Sequence, residues 1–236
     1  LSQTVVILHG ALGSAAQMAP VAAAFDAPWQ PVLVELPGHG ATPLGAVPFT
    51  IEGFAAWLGD ELLARGLHQP VVFGYSMGGY VALALEVAAP GTFAAVVTLG
   101  TKFDWTPEGA ARDAGRLDPV RLAAKVPQFA AELAARHGGA GGWERVLPDT
   151  AILLRVLGAA PPLTPEALAR VRIPVIVSVG ENDDTVSVDE TQSAASALSG
   201  RAVILPGVPH PIERVPTGTI VGLVRWLKDL EGDPLT

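Results

Sequence analysis

The feature that most constrains this chain is an alternation. Short runs rich in Val, Ile and Leu recur at TVVILH (4–9), PVLVEL (31–36), PVVFGY (70–75), FAAVVTLG (93–100), IPVIVSVG (173–180) and RAVILPG (201–207). Each is short, punctuated by Gly or Pro, and apolar at consecutive rather than alternate positions. Strands buried on both faces of a parallel sheet have this signature. Between the runs lie segments with helical spacing: 14–25 behind a cap at Ser14, 50–65 with apolar residues at Ile51, Phe54, Trp57, Leu58 and Leu62, then 77–89, 188–198 and 217–230. This order predicts the α/β class, a mostly parallel, doubly wound sheet of about six strands with right-handed crossovers.

One interval breaks the rhythm. Residues 101–172 contain no convincing strand, only helical stretches at 119–136 and 143–157 interrupted by HGGAGG (137–142) and AAPPLTP (159–165). Ordinary connections rarely exceed about 12–15 residues, so a segment of this length is a functional insertion. The expected organisation is a single domain, 1–236, with its core in 1–100 and 171–236 and a helical cap over about 101–170 inserted after the fourth strand. The glycine cluster is expected to be a flexible join between cap helices.

Composition removes several function classes. Lys and Arg number 15 against 23 Asp and Glu, the net charge is −8, and no basic block occurs, so the footprint of a nucleic-acid binder is missing. No uninterrupted apolar run reaches the length of a membrane span, and the stretch 4–8 is too short for a signal peptide. Cysteine is absent, which excludes disulfides and thiolate metal sites and fits a cytoplasmic location. The histidines are isolated, without the spacing of a zinc site, and neither PGHGATPLG nor HGGAGG joins a strand to a helix as a dinucleotide loop does. No metal and no cofactor is expected.

The chemistry is expected where PVVFGY meets MGGYVALALEVA. Gly74-Tyr75-Ser76-Met77-Gly78 is a G-x-S-x-G motif at a strand-to-helix junction. Glycines at −2 and +2 relieve the collisions of so sharp a turn. The turn lifts the Ser76 hydroxyl above the sheet, and the Met77 amide, at a helix N-terminus, favours a developing oxyanion. A plain turn whose serine caps the helix would satisfy the same pattern.

Around this motif the chain resembles the α/β-hydrolases over essentially its whole length. HGALGS (9–14) matches the family's His-Gly loop. ELPGHGATP (35–43) matches its D-x-P-G-x-G-x-S block, with Glu35 and Thr42 substituted. The resemblance implies structural roles for His9 and His39, and a general base at His210 in LPGVPHPIER. It implies an acid at Asp183 in GENDD, with Asp184 as runner-up and Asp104 as the position some relatives use. It also implies oxyanion donors at the Ala11 and Met77 backbone amides. Pro209 stands where the family usually has Gly, which stiffens the base loop. His68 is expected to be solvated, and His137, in the glycine cluster, to be exposed.

Ser, His and Asp with two amide donors perform acyl transfer. The expected activity is hydrolysis of carboxylic esters with small to medium acyl chains, on a small-molecule substrate, with Leu12, Phe103, Trp105, Phe129 and Trp143 as candidate pocket residues. Most of the aromatic four are expected to pack the cap onto the sheet domain, with Trp105, just past a strand end, the best pocket candidate. The fold also hosts thioesterases, C–C bond hydrolases and menaquinone-pathway lyases on the same triad. The last usually follow GYSMGG with Arg, where this chain has Tyr80. A non-catalytic ligand-binding member is the remaining alternative.

Overall fold

The computed structural model describes residues 3–139 and 141–230. All six apolar runs are strands: β1 (Thr4–Leu8), β2 (Gln30–Val34), β3 (Val71–Tyr75), β4 (Ala95–Leu99), β5 (Val175–Asn182) and β6 (Arg201–Pro209). They form one sheet in the order β2-β1-β3-β4-β5-β6, and every pairing is parallel. β3 and β4 are buried along their whole length, as their unbroken apolar sequences require.

Successive residues of β1 serve opposite cores. Val6 and Leu8 pack with α2 (Ile51–Ala64), α3 (Met77–Ala88) and α9 (Val188–Ala197), whereas Val5 and Ile7 pack with Val21 of α1 (Ala19–Ala23) and with α10 (Thr217–Leu230). Helix starts follow local chemistry. The Thr50 hydroxyl accepts from the Gly53 amide at 3.0 Å, and Ser187 and Glu190 form a reciprocal capping box on α9.

Two helical expectations are revised. The segment 14–25 is a 3-10 turn at Ala16–Met18 followed by the short α1, whose first turn holds Pro20. The stretch 119–136 is two helices, α5 (Pro119–Lys125) and α6 (Pro127–Arg136). The Pro127 ring disfavours a helical conformation at Val126, which lies at φ −138°, ψ 63°. With α4 (Pro107–Ala114), α7 (Trp143–Ala159) and α8 (Pro165–Leu168), these fill the chain between β4 and β5. Ala140 of the glycine cluster lies outside the described residues, and with it the expectation of a flexible join there.

The chain leaves β1 for the edge strand β2 and returns to the other side of β1 with β3, so the topological switch point lies between β1 and β3. In open α/β sheets ligands bind beyond the carboxyl ends of strands at such a point. The HGALGS loop and the Ser76 turn both emerge there. The open edges are β2, which carries Pro31, and β6, which carries Pro206 and Pro209.

Candidate active site

Ser76 terminates β3 and precedes α3 with φ 51° and ψ −116°, a conformation a non-glycine residue holds only under constraint. The constraints are visible. Its amide donates to the Leu99 carbonyl at 2.8 Å, and the Thr101 hydroxyl donates to its carbonyl at 2.9 Å. A Cβ at Gly78 would lie 2.6 Å from the His9 carbonyl oxygen, and one at Gly74 would collide with the Gly79 backbone. The Ser76 side chain makes no capping bond to α3, so its hydroxyl is not committed to the helix.

Asp183 follows β5 and His210 follows β6. His210 Nδ1 lies 2.7 Å from Asp183 Oδ2, with the aspartate side chain only 2% exposed. The other carboxylate oxygen, Oδ1, accepts from the amides of Thr185 (2.8 Å) and Val186 (2.9 Å), which fixes the carboxylate plane. A carboxylate in this position accepts from the ring, so the neutral tautomer that fits the geometry carries its proton on His210 Nδ1 and its lone pair on Nε2. Gly100, at φ +62°, passes beneath this pair, where a Cβ would be 3.1 Å from the imidazole and 3.2 Å from Asp183 Oδ2. Of the competing acids, Asp184 faces the cavity next to Asp183, and Asp104 lies beyond β4, its amide donating to Glu190.

Ser76 and His210 line one cavity of about 450 Å³, together with Ala11, Leu12, Met77, Trp105 and the apolar side chains of Ile51, Leu153, Leu154 and Leu157. Met77 is the first residue of α3, where helix geometry leaves amides unpaired. Lys102, Arg112, Asp113 and Arg116 add charge to the wall, with Asp113 Oδ1 3.7 Å from Arg112 and 3.8 Å from Arg116. Trp105 is held by its indole N–H on the Lys102 carbonyl at 3.1 Å, with the Lys102 ammonium 5.6 Å from the ring centre.

Three aromatic residues proposed for the pocket lie outside its lining. Phe103 turns into the core, with its ring 6.1 Å from that of Tyr80. Phe129 on α6 and Trp143 at the start of α7 are half-buried among the helices between β4 and β5. The Tyr80 and Tyr75 rings reach the cavity instead. Tyr80 follows the motif, and its hydroxyl accepts from the Leu163 amide at 3.3 Å. The Tyr75 hydroxyl donates to the His210 carbonyl at 3.0 Å, tying the residue before the serine to the base loop, and burial holds this phenol protonated. Only its place in G-x-S-x-G hints at this role.

The remaining histidines serve the loops. His9 Nε2 accepts from the Leu36 amide at 3.1 Å and Nδ1 donates to the Gly10 carbonyl at 2.8 Å; burial lowers its pKa to about 4. His39 is buried beside it, with rings 5.0 Å apart, and burial keeps it neutral. His68 is exposed. His137, expected at the surface, is fully buried, because the end of α6 is driven against the loops after β1 and β2. Glu35, the substituted acid, accepts from the amides of Ala15 (3.0 Å) and Ala41 (2.8 Å) and so ties the same two loops together.

The sequence profile of the Alpha/beta hydrolase family matches residues 5–219, nearly the whole chain. The protein belongs to the alpha/beta hydrolase family. Among solved structures, this hydrolase-family chain is similar to NosK from Streptomyces actuosus, with a TM-score of 0.77 and 23% identity over 98% of this chain and 99% of that one. It is also similar to a thermophilic esterase from Thermogutta terrifontis, with a TM-score of 0.76 and 19% identity over 96% and 89% of the two chains. At these identities the likeness is one of fold. The 2-succinyl-6-hydroxy-2,4-cyclohexadiene-1-carboxylate synthase of Pectobacterium atrosepticum is 38% identical over 81 residues, 33% of this chain and 30% of that protein. The chain thus matches less than a third of the length of that curated relative. Among the described residues no helix is long and apolar enough to cross a membrane.

Proposed function

We propose that this alpha/beta hydrolase is a serine hydrolase that cleaves carboxylic esters of small to medium acyl chains through an acyl-enzyme. The observation that carries the reading is the 2.7 Å contact between His210 Nδ1 and Asp183 Oδ2, on a histidine that shares a cavity with the constrained Ser76. Ser76 Oγ attacks the ester carbonyl carbon while His210 Nε2 takes its proton. Asp183 holds the imidazole and stabilises the imidazolium without taking the proton. The amides of Ala11 and Met77 receive the oxyanion. Collapse breaks the carbon–oxygen bond to the leaving group, which departs with the proton from His210. Water then repeats the sequence on the acyl-Ser76. The helices between β4 and β5 act as the cap: α4 supplies Arg112, the turn after it Arg116, and α7 Leu153, Leu154 and Leu157 to the wall. Their apolar share favours an acyl chain, and about 450 Å³ is at the smaller end of ligand pockets.

The test is intact-mass measurement after exposure of wild type and Ser76→Ala to a fluorophosphonate, followed by an ester and thioester panel of increasing acyl length. One adduct on wild type, none on Ser76→Ala, and turnover of short esters are expected. An unlabelled, folded wild type that turns over no ester overturns the reading.

A second reading, a menaquinone-pathway lyase, is favoured by the match to the synthase over 81 residues. Elimination removes a proton and needs no acyl-enzyme. Acid-quenched mass spectrometry during ester turnover separates the two: an acyl group on Ser76 supports the hydrolase, and ester inertness with a labelled Ser76 supports the lyase.

A further inference from the structure

The loop after β1 turns tightly over Gly10-Ala11-Leu12-Gly13, closed by the Gly13 amide on the Gly10 carbonyl at 3.1 Å. Leu12, third in the turn, has φ +57°. A positive φ at that position ordinarily selects Gly or Asn, and a branched side chain holds it only when its surroundings over-determine the backbone. Here the surroundings are two side chains from the end of α6, more than a hundred residues away. Arg136 Nη1 donates to the Leu12 carbonyl at 2.8 Å, and His137 Nε2 lies 3.0 Å from the same oxygen. The other ring nitrogen of His137, Nδ1, accepts from the Gly40 amide at 3.0 Å, so the proton must be on Nε2 and the ring donates to Leu12. His137 thus bonds the loop after β1 and the loop after β2 with one imidazole. Arg136 reaches further, with Nη2 3.9 Å from Glu213, three residues past His210, while Gln17 Nε2 donates to the same carboxylate oxygen at 2.6 Å.

We propose that Arg136 and His137 are positioning residues for catalysis: by gripping the Leu12 carbonyl they hold the strained turn that presents the Ala11 amide to the reacting carbonyl. Through Glu213, Arg136 also joins that turn to the segment carrying the base. The inference rests on the serine-hydrolase reading above, since it assigns the Ala11 amide a task. It makes oxyanion stabilisation conditional on a docked cap, because α6 belongs to the helices between β4 and β5. An amide tilted by a relaxed turn still lets substrate bind but loses its hydrogen bond as charge develops, so the loss falls on kcat and not on KM.

The experiment compares wild type, Arg136→Met, His137→Ala and His137→Gln in p-nitrophenyl butyrate hydrolysis and in backbone amide exchange. Arg136→Met and His137→Ala are expected to lower kcat about tenfold or more, with KM within about twofold, because loss of a whole oxyanion donor costs about 100- to 1,000-fold. Amides of residues 11–13 should exchange faster in both. His137→Gln supplies a donor and an acceptor on one planar group and should recover most of kcat, which replacement of mere packing volume would not explain. If His137→Ala does not fold, Arg136→Met decides, since it leaves both His137 bonds in place. Unchanged kcat in these variants of an active protein overturns the proposal. A wild type that neither hydrolyses ester nor labels at Ser76 overturns the parent reading instead. The exchange data then judge the grip alone, and unchanged protection at 11–13 refutes it.

Discussion

Three imidazoles cluster beneath the loops that follow β1 and β2. The His39 ring centre is 5.0 Å from that of His9 and 5.9 Å from that of His137, and all three side chains are buried. Burial lowers each pKa, to about 4 for His9; the His137 ring opposes protonation further at His9 and His39, and the His9 ring at His39, while Glu35 favours it at His9 and His137 and Arg136 opposes it there. The unfolded chain binds protons on these residues near pH 6.5, whereas the folded chain keeps them neutral to lower pH. Stability is therefore fully present above about pH 6.5 and falls as pH drops toward 4. For His9 alone the loss is on the order of 3 kcal/mol. Urea denaturation at pH 7 and pH 4.5 should give a lower midpoint at the acid end, and His9→Asn should flatten the difference; equal midpoints would contradict the burial argument.

At the scale of elements, the cavity wall depends on how closely α4 approaches α7. A Cβ at Gly158 of α7 would meet the Ala110 methyl of α4 and lie 2.9 Å from the Thr106 carbonyl oxygen, so glycine sets that spacing. Gly158→Leu should wedge the helices apart, costing about 1–3 kcal/mol as overpacking does and displacing Arg112 and Arg116 from the wall. The measurements are the chemical denaturation midpoint and KM across ester chain lengths. A variant with both unchanged would show that the contact yields easily. The strands, and the helices α2, α3, α9 and α10 packed on them, were legible in sequence, because consecutive apolar residues and turn-forming glycines are local signals; α1, shortened behind a 3-10 turn, was not. Ser76 stood out by its strand-to-helix motif, whereas Asp183 and His210 came only from the resemblance to the family; the structure brings those two within 2.7 Å of each other. The helices between β4 and β5 were less legible. Their break at Val126 follows from Pro127, but the burial of His137 does not follow from its glycine-rich surroundings. It is fixed by loops about a hundred residues away, and no local pattern records such a contact. Of the aromatic candidates only Trp105 lines the cavity, while Phe103, Phe129 and Trp143 pack elsewhere, and no local pattern separates the two, since a large aromatic residue carries no mark telling core from cavity wall.

Over the whole molecule, the strand order gathers the carboxyl ends of β1, β3, β5 and β6 at one end of the sheet, bringing residues from 11 to 210 to a single cavity. The same order leaves β2 and β6 with one side unpaired. Pro31 and Pro206 remove amide donors there, and Arg201 adds charge at the start of β6. A visiting strand therefore meets a broken ladder at either margin. Replacing Pro31 and Pro206 with valine should return an amide donor to each margin, and light scattering during long incubation at high concentration should rise faster than for wild type; an identical trace would mean that other features, Pro209 among them, guard the margins. The prolines at the sheet's rims thus act as a barrier to recruitment: they let a chain rich in β-branched runs keep its sheet to itself, so that neighbouring copies cannot be drafted into one growing ribbon.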